Sequence, residues 1–179
     1  MIDSIKTPFP RCIELLLENV RLDPGFRDFY YWSREAKVPV IVLSSGMTPI
    51  IRALLVHLIG PDANDIEIVC NEVADRPPLT KDQEGGWNIQ YHDDSDFGHD
   101  KSLTIRPYSK YIAEHPEEGT PILFYAGDGV SDLSAARETD LLFAKKGHGT
   151  FLPEDYCRHS LNDHYRSCNI LRARGTPVH

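Results

Sequence analysis

Three short segments concentrate the side chains that could do chemistry. Ser44-Ser45-Gly46 offers a hydroxyl and backbone N–H groups just before Thr48-Pro49 opens a helix, an arrangement suited to holding an anion. Lys101, after His99-Asp100, supplies a point positive charge that could neutralise phosphate and order an acidic cluster. Asp128 and Asp132 stand four apart across the strand-to-helix turn Gly127-Asp128-Gly129-Val130-Ser131-Asp132, and could direct two carboxylates at one hard cation. Two carboxylates joined by phosphate oxygens and water are typical Mg²⁺ ligation. The chemistry indicated is the handling of a small phosphorylated or anionic ligand with Mg²⁺.

Each segment must be held where an element ends. Val38-Pro39-Val40-Ile41-Val42-Leu43 is a continuous, mostly β-branched run and reads as a strand buried on both faces, the kind found in parallel sheets. The Ser44 turn follows, then a helix from Thr48 to about Leu58. Pro121 to Ala126 reads as another buried strand, leading into Asp128 and a helix over Leu133 to Glu138. Leu141 to Ala144 is a short last strand. Between these, Ile66 to Val73 reads as a strand, and Trp87 to Tyr91 alternates as a solvent-facing strand would. A helix starts at Lys101, with Tyr108, Tyr111 and Ile112 on its buried side. Upstream, Pro10 to Val20 has a helical period. Asp23 is placed to cap a second helix, with Pro24 at its first position, Phe26, Phe29, Tyr30 and Trp32 as an apolar stripe, and Lys37 closing it. Strand, small-residue turn, helix is an α/β half-unit, and open α/β sheets bind ligands at the carboxyl ends of their strands.

The segments Val42-Leu43-Ser44-Ser45-Gly46-Met47, Gly98-His99-Asp100-Lys101-Ser102 and Gly127 to Asp132 resemble motifs II, III and IV of the haloacid-dehalogenase superfamily. The branch most similar is that of the phosphoserine-phosphatase-like phosphatases. The Leu22-to-Phe26 lead-in, the Trp87 strand and Leu142-Phe143-Ala144-Lys145 are similar to a fungal-type group within it. The resemblance runs from about Pro10 to about Gly147. It implies a three-layer, Rossmann-like α/β core with a reduced or absent cap. It further implies that Ser44, with Ser45 and Gly46, binds the phosphoryl group and that Lys101 pairs with phosphate and nucleophile. Asp128 would ligate Mg²⁺, and Asp132 would support the metal or Lys101. Positioning and charge neutralisation are what phosphoryl transfer demands.

One motif departs from the pattern. The family's first motif is Asp-x-Asp at the end of a buried strand, supplying a nucleophile and a general acid/base. No such segment precedes Pro10; Asp94-Ser95-Asp96 follows an alternating strand and is a poor substitute. On this reading the aspartyl-phosphate cannot form, and the central strand between those bearing motifs II and IV is missing or replaced. Unpaired buried backbone groups cost about 1–3 kcal/mol each, so the expectation is a rearranged sheet, a strand from another segment or protomer, or a fragment. A homodimer through exposed sheet edges or strand exchange is one expected solution. Binding without hydrolysis, or non-phosphoryl chemistry such as isomerisation or cyclisation, is the competing function.

Composition narrows the classes. A net charge of −8 argues against a nucleic-acid footprint, which would be basic and clustered. No apolar run approaches the ~20 residues that span a bilayer, so no membrane partner is expected and a cytoplasmic location is. The four cysteines form no CxxC or dense framework and read as scattered thiols. Residues 1–147 are expected to form the truncated α/β domain, and 148–179 a polar tail, partly disordered. Within that tail Cys157, His159, His164 and Cys168 have zinc-ligand types at a spacing that matches no finger. Arg52 and Arg106 are candidate anion contacts that helix-surface positions also explain. Taken singly, Ser44 is a helix cap, Lys101 an exposed helix start and the aspartates turn residues. Their joint order makes an inherited site the better reading.

Overall fold

The computed structural model describes residues 4–21, 23–95, 98–127, 132–144 and 170–172. The chain divides into two compact units, Met1–His99 and Asp100–His179. The first holds α1 (Phe9–Asn19), α2 (Pro24–Glu35), β1 (Ile41–Met47), α3 (Thr48–Ile59), β2 (Glu67–Asp75) and β3 (Trp87–Gln90). The second holds α4 (Lys101–Glu114), β4 (Phe124–Gly127), α5 (Asp132–Ala136), β5 (Leu141–Ala144) and β6 (Ile170–Arg172). Each unit has a three-stranded sheet with one parallel and one antiparallel pairing. In the first, β1 runs parallel to β2 and β2 antiparallel to β3; in the second, β4 runs parallel to β5 and β5 antiparallel to β6. The class is α/β with parallel strand pairs, as the strand–turn–helix pattern predicts.

Local chemistry explains the ends of α2. The Asp23 carboxylate accepts a hydrogen bond from the Gly25 N–H at 3.0 Å, with Pro24 in the first turn where its missing donor costs nothing. At the other end Lys37 sits at φ +57°, and the Val38 and Lys37 N–H groups donate back to the Ser33 and Arg34 carbonyls. That is the paired capping of a left-handed helix terminus. Lys37 thus closes the helix through its backbone, one residue beyond the last turn.

The core of the first unit gathers Tyr30, Leu55, Ile59, Ala63 and Ile66, with Val42, Ile51 and Ile68 packed against it. Tyr30 donates its hydroxyl to the Asp62 carbonyl at 2.8 Å, so the ring is buried with its polar end satisfied. A second contact sets Phe9 edge-on to Trp87 at 5.3 Å, and the indole N–H donates to the Thr7 carbonyl.

Three sequence expectations are corrected here. Of the Val38–Leu43 run, Ile41, Val42 and Leu43 are half-buried in β1 and Pro39 is exposed ahead of it; β1 lies at the edge of its sheet and has β2 as its one strand neighbour among the described residues. For the same reason β4 is not a fully buried strand: it is an edge strand, and Phe124 is 54% exposed. On the Trp87 strand, Trp87 itself is the buried position, covered by Phe9, and Gln90 is exposed. The buried face of α4 is carried by Ser102 and Ile105, while Tyr108 and Tyr111 are exposed and Ile112 is half-buried. Tyr111 stacks instead on the His115 ring, one turn further along its own helix. Strand β6, formed by Ile170-Leu171-Arg172, is too short an apolar signal to have been anticipated.

Candidate functional site

The turn expected at Ser44-Ser45-Gly46-Met47 is instead the last part of β1, bulged where the β1–β2 ladder breaks. Leu43 pairs with Val69 and the next matched pair is Met47 with Asn71, so Ser44-Ser45-Gly46 oppose Cys70 alone. A bulge of this kind takes carbonyls off the ladder, and buried carbonyls need new partners. Two side chains supply them. His99 donates from Nδ1 to the Ser44 carbonyl at 2.9 Å, and Asn71 donates from Nδ2 to the Ser45 carbonyl at 2.8 Å. The Gly46 N–H donates to Ser44 Oγ at 3.0 Å. A side chain at Gly46 would crowd Ile51 Cδ1 and Ser44 Oγ at 3.2 and 3.3 Å, so a small residue suits this turn. Beside it, Thr48 donates to the Asn71 carbonyl at 3.3 Å, and its hydroxyl lies 3.2 Å from Cys70 Sγ. Burial pushes the Cys70 thiol above its ordinary 9.0, with the Thr48 hydrogen bond opposing the shift.

In the second unit, Asp100 accepts from the Ser102 N–H at 3.0 Å and caps α4, which starts at Lys101. Lys101 and Asp132 form a close ion pair, with their side chains only 11% and 8% exposed. The same oxygen, Asp132 Oδ1, accepts the Tyr125 hydroxyl at 2.7 Å. Lys101 Nζ also lies 5.9 Å from the Tyr125 ring centroid, within range of a cation–π attraction. Gly127 is required beside this pair, since a Cβ there would run into the Asp132 carboxylate. A buried lysine so held has its direction fixed.

The structure therefore brings Lys101 and Asp132 together in one unit, and Ser44, Ser45 and Gly46 together in the other. Asp128 lies outside the described residues, as do Asp96 of the Asp94-Ser95-Asp96 string and the zinc-type residues Cys157, His159, His164 and Cys168. Among the described residues no group of three His, Cys, Asp or Glu is arranged to hold a metal ion. The candidate cation donors, Asp128 and Asp132, are hard carboxylate oxygens of the type that suits Mg²⁺, and Oδ1 of Asp132 is already engaged by Lys101 and Tyr125. Arg52 serves structure: it donates to the Ala63 and Ile66 carbonyls at 2.5 and 2.8 Å. Arg106 pairs with Glu138 at 3.3 Å. A cavity of about 620 Å³ in the second unit, lined by Ile112, Pro121, Ile122 and Leu141, has none of the candidate phosphoryl- or metal-binding residues in its wall. No described helix is long and apolar enough to cross a membrane.

Sequence reasoning missed three participants. Asn71 lies in β2 between Cys70 and the charged Glu72, and nothing in that local sequence sets it apart. His99, named from the sequence only as the neighbour of Asp100 and Lys101, is buried. Tyr125, two residues before Gly127, looked like one more apolar strand position.

Comparison with known proteins gives a consistent picture. A family model described as haloacid dehalogenase-like hydrolase matches residues 1–137. Pdp3-interacting factor 1 of Schizosaccharomyces pombe is 52% identical over 148 residues, 82% of this chain and 60% of that protein. Polyol phosphate phosphatase PYP1 of Saccharomyces cerevisiae is 52% identical over 150 residues, again 82% and 60%. A 2-hydroxy-3-keto-5-methylthiopentenyl-1-phosphate phosphatase of Bacillus cereus is 29% identical over 147 residues, 80% and 60%. The matched part of the chain spans 60% of the length of each of these relatives.

Proposed function

The chain belongs to the haloacid dehalogenase-like hydrolases, and from that membership we propose that it carries the Mg²⁺- and phosphoryl-binding part of a phosphatase-type site for a small phosphomonoester, with phosphorylated polyols as the substrate class and an attacking group that the motifs of this sequence do not supply. The observation that carries this reading is the buried Lys101–Asp132 pair, steadied by the Tyr125 hydroxyl. Breaking a buried pair by removing one partner costs about 3–5 kcal/mol, so the pair holds Lys101 firmly in one position. Lys101 neutralises the phosphoryl oxygens. Ser44 donates its hydroxyl proton to one of them, since the Gly46 N–H takes up one of its acceptor sites. Mg²⁺, when bound, supplies charge stabilisation at the phosphoryl oxygens. Asp128 is its proposed ligand, with Asp132 in support of Lys101 first and of the metal second. The polyol class draws on the 52% identical yeast relative, whose name states that substrate.

A second reading draws on the stretch ahead of Ser44, which contains no Asp-x-Asp. In it the same residues bind a small anionic ligand without hydrolysing it, or serve non-phosphoryl chemistry such as isomerisation or cyclisation. A homodimer that pairs the edges of β1 and β4 with a second copy would give those strands a neighbour.

Hydrolysis of glycerol phosphate with Mg²⁺, followed by phosphate release, separates these. Turnover abolished by Asp128→Ala and by Lys101→Met supports the phosphatase reading, and turnover indifferent to Asp128→Ala overturns it. Mg²⁺-dependent ligand binding without turnover favours the second reading. Light scattering across a concentration series reports the dimer.

A further inference from the structure

We propose that Asn71 is the positioning residue of the phosphoryl-binding turn, working with His99 to fix the Ser44–Ser45–Gly46 backbone in its anion-ready state. The proposal rests on reading Ser44 as a phosphoryl ligand. Asn71 is 1% exposed, in the middle of β2 where an aliphatic side chain would ordinarily pack. Its amide is satisfied on both sides: Nδ2 donates to the Ser45 carbonyl at 2.8 Å and Oδ1 accepts the His92 N–H at 2.8 Å. Turning the amide over would set oxygen against oxygen and N–H₂ against N–H, so the network fixes its orientation.

Peptide planarity turns these bonds into a statement about the donors. In a trans peptide the carbonyl of one residue and the N–H of the next point in opposite directions. His99 on the Ser44 carbonyl therefore aims the Ser45 N–H away from His99, and Asn71 on the Ser45 carbonyl aims the Gly46 N–H away from Asn71. That Gly46 N–H meets Ser44 Oγ and sets the hydroxyl with its proton left to donate. Were either carbonyl released, its oxygen could swing toward the ligand and repel an anion. The two clamps support each other: the His92 backbone is held by Asn71, and its ring lies 4.6 Å from that of His99. Asn71, Ser45, Ser44, His99 and His92 form a closed circuit around the turn.

The test is a ¹H–¹⁵N NMR titration of the chain with inorganic phosphate in the presence of Mg²⁺, reading the Ser45 and Gly46 amides. Asn71→Ala is expected to weaken phosphate binding about tenfold, the scale on which losing a buried, charge-orienting hydrogen bond acts. Ile66→Val and Ile66→Ala, which thin the core of the same unit, provide variants of matched melting temperature and are expected to bind phosphate as the wild type does. Asn71→Asp keeps the acceptor for His92 and exchanges the donor to Ser45 for a carboxyl, which donates only when protonated. Its affinity relative to wild type is expected to recover as pH falls. An Asn71→Ala chain within about twofold of wild type, or an Ile66 variant of equal melting temperature that loses as much affinity, overturns the proposal. Asn71→Asp binding at parity with wild type at every pH overturns it too. No shift at Ser45 or Gly46 in the wild type is a different outcome: it removes the phosphoryl reading of Ser44, and the positioning role falls with it.

Discussion

Tyr125 donates its hydroxyl to Asp132 Oδ1 at 2.7 Å, the same carboxylate oxygen that pairs with Lys101. The two donors do different work. The Tyr125 bond is a neutral hydrogen bond to a charged acceptor, so Tyr125→Phe is expected to cost about 1.5–3 kcal/mol of stability. Asp132→Ala strands a buried lysine and is expected to cost about 3–5 kcal/mol. Urea unfolding of both variants checks the order. A Tyr125→Phe chain less stable than Asp132→Ala would contradict it.

Gly127 packs against the Asp132 carboxylate so closely that any Cβ would collide with it. Gly127→Ala must therefore move the end of β4 or displace the ion pair, at about 1–3 kcal/mol by the usual cost of overpacking. Thermal unfolding reads the loss, and wild-type stability in this variant would show that the contact yields freely.

Gly98 has φ +69°, and a Cβ there would enter the Tyr91 ring. Its carbonyl also accepts the N–H groups of His92 and Asp93 at 3.0 and 3.2 Å, which closes the loop ahead of His99. Gly98→Ala thus meets two penalties: the left-handed backbone, about 1–2 kcal/mol, and the ring. Tyr91→Ala removes only the second. A double-mutant cycle is expected to show Gly98→Ala costing less in the Tyr91→Ala background, and strict additivity would exclude the steric part.

Burial raises the Cys70 thiol above its ordinary 9.0, and Cys12 is raised for the same reason. The folded chain holds these protons more tightly than the unfolded chain does. The resulting stability is whole below 9.0 and declines as pH climbs through the raised folded values. Unfolding midpoints measured from pH 7 to pH 10 should fall at the alkaline end, and less steeply in Cys70→Ala. Equal slopes would contradict the assignment to Cys70.

Legibility followed the range of the interactions involved. The capping of α2 by Asp23 and Pro24 and the start of α4 at Lys101 were readable because caps act within a few residues. The α/β class was readable through the strand–turn–helix pattern. Burial was less accessible. An apolar run such as Val38 to Leu43 specifies a strand but not how many neighbours it has, and β1 proves to be an edge strand. The α4 face was misassigned because large aromatic rings were weighted over Ser102 and Ile105. Asn71 and His99 join the site through partners 26 and 55 residues away, which no local pattern encodes.

The most direct test of the phosphatase-type site is hydrolysis of a phosphorylated polyol with and without Mg²⁺. The account predicts phosphate release with Mg²⁺, lost on chelation and lost again in Lys101→Met and Asp128→Ala. No release with Mg²⁺ present, or release that persists in Asp128→Ala, would contradict it.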